Sequence, residues 1–335
     1  MNFLIFGAGA IGTYLGASLA QAGLPVSVYA RPATAAHLRA NGFRLNGAPV
    51  SSINIFDSLP AALNSAPDAI LFALKAYDTA NAIRDLRAVT TAPPLMVCLQ
   101  NGIGNEAALV QAFGAERVLA GTVTTAVARR VAGDVQVERA RGVGVALGHP
   151  LSERLLTTLR QAGLNAQSYA SADALKWSKL LTNLVGNATS AILDMTVAEI
   201  FADTRLFALE MRMLRECLAV MHKKNYAVVD LPSTPVRALA MGTRLPAWLA
   251  RPLLVRGVAR GRGGKMPSFH IDLHSGQQTE VNWLNGAVVR HGAEAGVPTP
   301  VNQLLTQTLE DLSTGLQPRD AFRRQPAQLL QRLNG

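Results

Sequence analysis

Residues Met1 to Gly12 read MNFLIFGAGAIG, and this dozen constrains the fold more than any other stretch. Phe3 to Phe6 is an unbroken apolar run, the pattern of a strand buried on both faces in a parallel sheet. Gly7, Gly9 and Gly12 follow at once, and then an apolar-periodic segment with Tyr14, Leu15 and Leu19. The order predicts strand, tight turn, helix. In that setting Gly7 permits the turn, Gly9 removes a Cβ from the path of a pyrophosphate, and Gly12 lets the helix lie close on the strand. The N–H groups of the helix N-terminus then face an anion. Gly7, Ala8, Gly9, Ala10, Ile11 and Gly12 are therefore the candidate cofactor-binding loop. The competing reading is a glycine turn in an unrelated α/β protein.

The chain has 335 residues, 49% of them hydrophobic and 16% charged, which suits two domains with cores of their own and argues against disorder. The net charge of +10 leaves nucleic acid, a membrane surface or an anionic ligand open as partners. Cys98 and Cys217 each sit in apolar sequence and read as buried reduced thiols, with no metal site expected. Phe3 to Phe6 is too short for a signal peptide, and Trp248 to Ala259, carrying Arg251, Pro252 and Arg256, is too short and too charged to span a bilayer. A soluble, cytoplasmic protein without a membrane partner is the expectation.

The first helix should stop at Gly23, and Val26 to Tyr29 should be the second strand. Cofactors lacking a 2′-phosphate commonly meet an acid at the end of that strand. Here it ends Tyr29-Ala30-Arg31. With the acid absent and a guanidinium present, the pattern favours NADPH/NADP+ over NAD(H), Arg31 pairing with the phosphate. Asn46-Gly47 signals a hairpin. Ala69 to Leu74 and Leu95 to Leu99 are further buried strands, ending in Lys75 and in Gln100-Asn101-Gly102. Ligands of open α/β sheets bind beyond the carboxyl ends of strands, which puts Lys75 and Asn101 at the rim of the crevice. Val118 to Val127, Val135 to Glu138 and Val143 to Leu147 read as antiparallel strands completing the sheet, with a last strand within Gln161 to Tyr169.

Beyond about residue 170 the apolar period becomes helical. Helices are expected over Ala172 to Leu193, Thr204 to Asn225, Glu280 to Ala295 and Thr299 to Leu312. The fold class is thus α/β, with a dinucleotide-binding domain over 1–170 and an all-helical domain over 171–335. Pro235 to Lys265 is strongly basic and broken by Gly261, Gly263 and Gly264. A solvated amphipathic helix with a loop explains it, and little aromatic interleaving and no known motif argue against nucleic acid as a partner. Within Ala172 to Leu193, Lys179, Asn183 and Asn187 fall at i, i+4 and i+8, so one helix face would carry an amine and two amides bordered by leucines. Such residues suit a cleft. Ser268 reads as a loop serine and Glu280 as the opening of a helix.

Five motifs carry a resemblance over nearly the whole chain. They are G-A-G-A-I-G at the start, L-K-A at Lys75, Q-N-G at Asn101, W-x-K-L-x-x-N at Lys179 and Asn183, and P-S at Ser268 followed about a dozen residues later by T-E-V-N-W-L-N-G. In that order they resemble the ketopantoate reductases (2-dehydropantoate 2-reductases). The resemblance implies a Rossmann-type domain, a helical domain similar to that of 6-phosphogluconate dehydrogenase, and NADPH-dependent reduction of a 2-keto acid on the way to pantothenate. It implies Lys179 as the catalytic acid, Glu280 as the active-site carboxylate, Asn183 and Ser268 toward substrate, Lys75 and Asn101 toward the nicotinamide end, and Arg31 toward the adenosine phosphate. Asn187, on the helix face of Lys179 and Asn183, and Asn101 are further candidate substrate contacts. A small 2-keto acid is the expected partner, and a homodimer is compatible. Two readings stay open beside it: a reductase of another 2-keto acid, and a non-catalytic NADP(H)-binding protein.

Overall fold

The computed structural model describes residues 1–262 and 265–333, with the side chains of residues 257–262 outside that description. Twelve strands are present among them: β1 (Phe3–Phe6), β2 (Val26–Tyr29), β3 (Phe43–Leu45), β4 (Ala48–Val50), β5 (Ile53–Phe56), β6 (Ala69–Phe72), β7 (Leu95–Cys98), β8 (Val118–Val123), β9 (Ala126–Val131), β10 (Asp134–Arg139), β11 (Val143–Ala146) and β12 (Ala166–Tyr169). The chain divides into two units, Met1–Lys176 with Leu231–Thr234, and Trp177–Asp230 with Pro235–Gly335.

In the first unit eight strands form one sheet in the order β12-β11-β8-β7-β6-β1-β2-β5. The six from β5 to β8 run parallel, five of them as buried apolar runs and β5 as the half-exposed edge, and β11 joins β8 antiparallel. The chain steps from β1 to β2 on one side and returns to β6 on the other. The order therefore reverses at β1, and the glycine loop leaves the carboxyl end of that strand, where ligands of doubly wound sheets bind. Leu4, Phe6, Ile70, Phe72, Met96 and Cys98 fill the core beneath it, with Phe6 stacked on Phe72 at 4.9 Å.

The expected hairpin is present: β3 and β4 pair antiparallel around Asn46 (φ 55°) and Gly47 (φ 84°). The expectation that all later strands complete one sheet is corrected. β9 and β10 leave it and build a four-stranded sheet, β4-β3-β10-β9, with that hairpin. Only β8, β11 and β12 extend the main sheet, and β8 pairs parallel with β7. The physical reason is burial. β8 and β11 are buried almost throughout, whereas Ala126–Val131 has no fully buried residue and belongs on a half-exposed sheet.

Helices account for the regular structure described in the second unit. The longest, Thr204–Lys223, is capped by Asp203, whose carboxylate accepts from the N–H groups of Arg205 and Leu206, and it buries Leu206, Leu209, Met213, Leu214 and Met221 as its spacing predicts. The single helix expected from Ala172 to Leu193 is instead two, Ala172–Leu184 and Asn187–Leu193, parted by Gly186 in the left-handed conformation (φ 61°). A Cβ at Gly186 would lie 2.6 Å from Val197 Cγ1. The break is held by Glu210, fully buried on the Thr204–Lys223 helix, whose carboxylate accepts from Gly186 N–H at 2.7 Å and Thr189 Oγ1 at 2.6 Å. Replacing Glu210 with Ala would leave both donors without that acceptor and open a cavity. A loss of about 3 kcal/mol in urea unfolding is expected, with Glu210→Gln losing less because it keeps one acceptor oxygen.

Glu216, from the same helix, accepts from the N–H groups of Val301 and Asn302 at the start of Pro300–Thr314. Cys98 and Cys217 are both free and buried, and burial pushes both thiols well above their ordinary range. No helix among the described residues is long and apolar enough to cross a membrane.

Candidate active site

In the first unit the site starts from three glycines doing three different jobs. Gly7 has φ +111°, a conformation that side chains resist, and a Cβ there would meet Leu74 Cδ2 at 2.8 Å. At Gly12 a Cβ would stand 1.9 Å from the carbonyl oxygen of Gly7, so the helix Ala10–Gln21 can approach β1 only without one. Gly9 is different. Its φ is −76°, and a Cβ would meet nothing nearer than Ala73 O at 4.0 Å. The protein therefore does not need glycine at position 9 for its own packing. Gly9 is also the N-cap of the Ala10–Gln21 helix, with no side chain capping it and no acid in the first turn. Open backbone at an uncapped helix N-terminus fits the pyrophosphate of a dinucleotide.

Lys75 and Asn101, both half-buried, lie just past the ends of neighbouring strands β6 and β7, as expected. A buried network ties those strand ends together. Gln100 Nε2 donates to Thr79 Oγ1 at 2.8 Å and to the carbonyl of Lys75 at 3.3 Å. Thr79 Oγ1 donates to Asn105 Oδ1 at 2.9 Å, and Asn105 Nδ2 donates to the carbonyl of Asn101 at 3.0 Å. The positions of Lys75 and Asn101 are thus fixed through residues that sequence reasoning passed over.

Lys176 was passed over too. Only 5% exposed, it pairs with Glu106 at 2.7 Å and donates to the carbonyls of Gln100 at 2.6 Å and Gly121 at 3.3 Å. A buried ammonium needs such partners, and here they lock the backbone immediately before Asn101. In the sequence Lys176 is one more lysine before a tryptophan, and Glu106 one more acid in a first turn, so neither carries a signal alone.

Arg31 is 80% exposed at the end of β2 and pairs with Asp78 Oδ1 at 3.0 Å. Exposed pairs of this kind are weak, so a phosphate dianion is a stronger partner for the guanidinium than Asp78 is.

In the second unit Lys179 and Asn183 are half-buried, one turn apart on Ala172–Leu184. Asn187 does not continue their face, because the helix breaks at Gly186. It opens the next helix and is buried, where Nδ2 donates to Ser268 Oγ at 3.4 Å and Oδ1 accepts from Phe269 N–H at 3.0 Å. Asn187 thereby caps the helix Ser268–His274. Ser268 is the first residue of that helix rather than a loop serine. Glu280, 4% exposed, stands before a single 3-10 turn, Val281–Trp283, and the helix proper begins at Asn285. Its expected place at the start of a long helix is corrected. Leu284, with φ −106° and ψ −93°, separates the two.

A family model described as ketopantoate reductase PanE/ApbA matches residues 3–149, and one described as ketopantoate reductase PanE/ApbA C terminal matches residues 171–313. A 2-dehydropantoate 2-reductase of Archaeoglobus fulgidus is 28% identical over 321 residues, 93% of this chain and 98% of that protein. Among solved structures, a PanE/ApbA family ketopantoate reductase from Ralstonia eutropha matches with a TM-score of 0.80 at 26% identity, over 94% of this chain and 99% of that one. D-mandelate dehydrogenase in complex with NADH shares the fold, with a TM-score of 0.76 at 22% identity over 95% of this chain and 100% of that one. With a glycine loop at the reversal point of its sheet and both models matching in succession along it, the chain belongs to the ketopantoate reductase family of dinucleotide-dependent oxidoreductases.

Proposed function

We propose that this protein reduces 2-dehydropantoate to pantoate with NADPH, in the cytoplasm, on the route to pantothenate. The observation that carries the reading is the open backbone at Gly9 on an uncapped helix start, in a chain that keeps Lys179, Asn183, Ser268 and Glu280. Residues 1–170 serve the cofactor. Residues 171–335 serve the substrate and, as a homodimer, the assembly.

When bound, the reduced cofactor would supply a hydride for the keto carbon. Negative charge then grows on the keto oxygen, where the Lys179 ammonium stabilises it and delivers the proton that makes the hydroxyl. Asn183 reads a substrate hydroxyl, and Ser268 binds the substrate carboxylate with Asn187 holding it in place. Glu280 accepts from a substrate hydroxyl or orients Lys179. Lys75 and Asn101 position the nicotinamide end, and Arg31 binds the 2′-phosphate.

The test is oxidation of NADPH followed by its near-ultraviolet absorbance, with 2-dehydropantoate beside 2-ketoisovalerate, pyruvate and an aryl 2-keto acid. A kcat/KM for 2-dehydropantoate at least tenfold above the rest is expected, since a site built to bond a hydroxyl rejects an analogue without one. Preference for another keto acid would assign the same chemistry to a different substrate. Arg31→Ala should raise the KM for NADPH about tenfold or more and leave that for NADH within about twofold, a difference worth roughly 1.4 kcal/mol. Equal effects on both cofactors would remove Arg31 from the phosphate.

A further inference from the structure

Asp194, His270 and His274 form a second cluster in the helical unit, and neither the proposed reaction nor the comparisons account for it. His270 and His274 lie one turn apart on the helix Ser268–His274, with ring centroids 4.1 Å apart. Asp194 caps the end of Asn187–Leu193, held at φ 50° and ψ 50°. Its Oδ1 lies 2.7 Å from His270 Nε2, and one donor atom of each of the three residues lies within 4.8 Å of the others. We propose that these three side chains bind a divalent transition metal of the zinc, nickel or cobalt class.

Two imidazoles and one carboxylate are a donor set for such metals, and an i, i+4 histidine pair is a common way to present two of them. The remaining carboxylate oxygen, Oδ2, accepts from Arg323 Nε at 3.0 Å. Asp194 can thus give Oδ1 to a metal while Arg323 orients it through Oδ2, the usual outer-shell arrangement. With bonds of about 2.0–2.1 Å, tetrahedral ligand atoms stand roughly 3.3 Å apart. The Asp194–His270 pair must open slightly and His274 must turn in, and both are side-chain adjustments. Calcium and magnesium are excluded by chemistry, because they require a shell of oxygens and the Arg323 cation stands beside the only carboxylate of the cluster.

The site would join the same two helices that Asn187 joins at their other ends. Asn187 opens one helix and bonds Ser268 and Phe269 in the first turn of the other, and Asp194 closes the first and faces the two histidines. A bound metal would clamp the helix that begins at Ser268. This departs from the expectation of no metal. The His-x-x-x-His spacing is visible in the sequence, but Asp194 lies 76 residues before His270.

The probe is Co²⁺ added to untagged full-length protein, followed by its visible d–d absorption, with Zn²⁺ competing. One equivalent per chain at micromolar concentration is expected, with Zn²⁺ displacing Co²⁺ and raising the melting temperature. Removing even an outer-shell partner costs about 10–100-fold, so His274→Ala should weaken binding by at least about 100-fold and abolish the thermal shift. His274 is exposed, and far-UV circular dichroism checks that the variant folds. Asp194→Asn should lose binding as well, and His37→Ala, at an exposed histidine in the other unit, should bind like wild type. No uptake by wild type, or uptake unchanged in His274→Ala, would overturn the site.

Discussion

Lys179→Ala is expected to lower kcat by about 10²–10⁴-fold, the range that a positioned general acid contributes. The cofactor loop lies in the other unit, so NADPH affinity, read by fluorescence, should stay within about twofold, and this separates a lost acid from a lost fold. A second variant separates the two parts of the proposed role. Lys179→Arg keeps a positive charge near the keto oxygen, but a guanidinium does not release its proton in this pH range. If charge alone mattered, Arg would recover most of the rate. If proton delivery matters, kcat stays low, and the fall of wild-type kcat at high pH, where a lysine acid deprotonates, disappears from the variant's profile. Near-normal turnover in Lys179→Ala would move the acid to another residue.

Replacing Gly12 and Gly9 in turn should produce two different defects from the same added methyl group. At Gly12 the Cβ would fall 1.9 Å from the carbonyl oxygen of Gly7 and 3.0 Å from Ile5 Cγ2. Backbone cannot rotate aside as a side chain can, so the helix Ala10–Gln21 must lift from β1. Overpacking of this kind costs about 1–3 kcal/mol, and a displacement near 1 Å at a binding loop costs on the order of 100-fold in function. Gly12→Ala should therefore lose both stability and NADPH binding. At Gly9 the Cβ would meet nothing nearer than Ala73 O at 4.0 Å. The backbone angle there is one alanine adopts, so thermal stability should change by less than about 0.5 kcal/mol. NADPH affinity should still fall about tenfold or more, because the methyl occupies the approach to the helix N-terminus. Gly9→Ala with wild-type affinity would place the pyrophosphate elsewhere.

Much of the first unit was legible because local chemistry and burial agreed there. Phe3–Phe6 has no alternation and is buried on both faces, and Asn46-Gly47 makes the hairpin that its left-handed angles favour. The strand ends carrying Lys75 and Asn101 followed from apolar runs that stop abruptly. What failed failed at long range. β9 looks like any other β-branched strand until it is paired, and its partner β10 pairs in turn with a strand ninety residues earlier. Gly186 sits in an apolar-periodic stretch where a lone glycine is usually tolerated. The break there depends on Glu210, which stands 24 residues away.

The sequence alone determined the glycine loop, the identity of the residues it carries and the succession of an α/β unit and a helical one, because strand and helix periods and turn glycines are properties of neighbouring residues. Tertiary structure alone decided how the polar residues are used. It set Asn187 to capping the Ser268 helix, Lys176 to pinning the backbone before Asn101, Glu210 to breaking a helix, and Asp194 to facing two histidines. For the three buried groups, Asn187, Lys176 and Glu210, the reason is common. A polar or charged group out of water needs a partner within about 3 Å, and which residue supplies it depends on how distant segments pack.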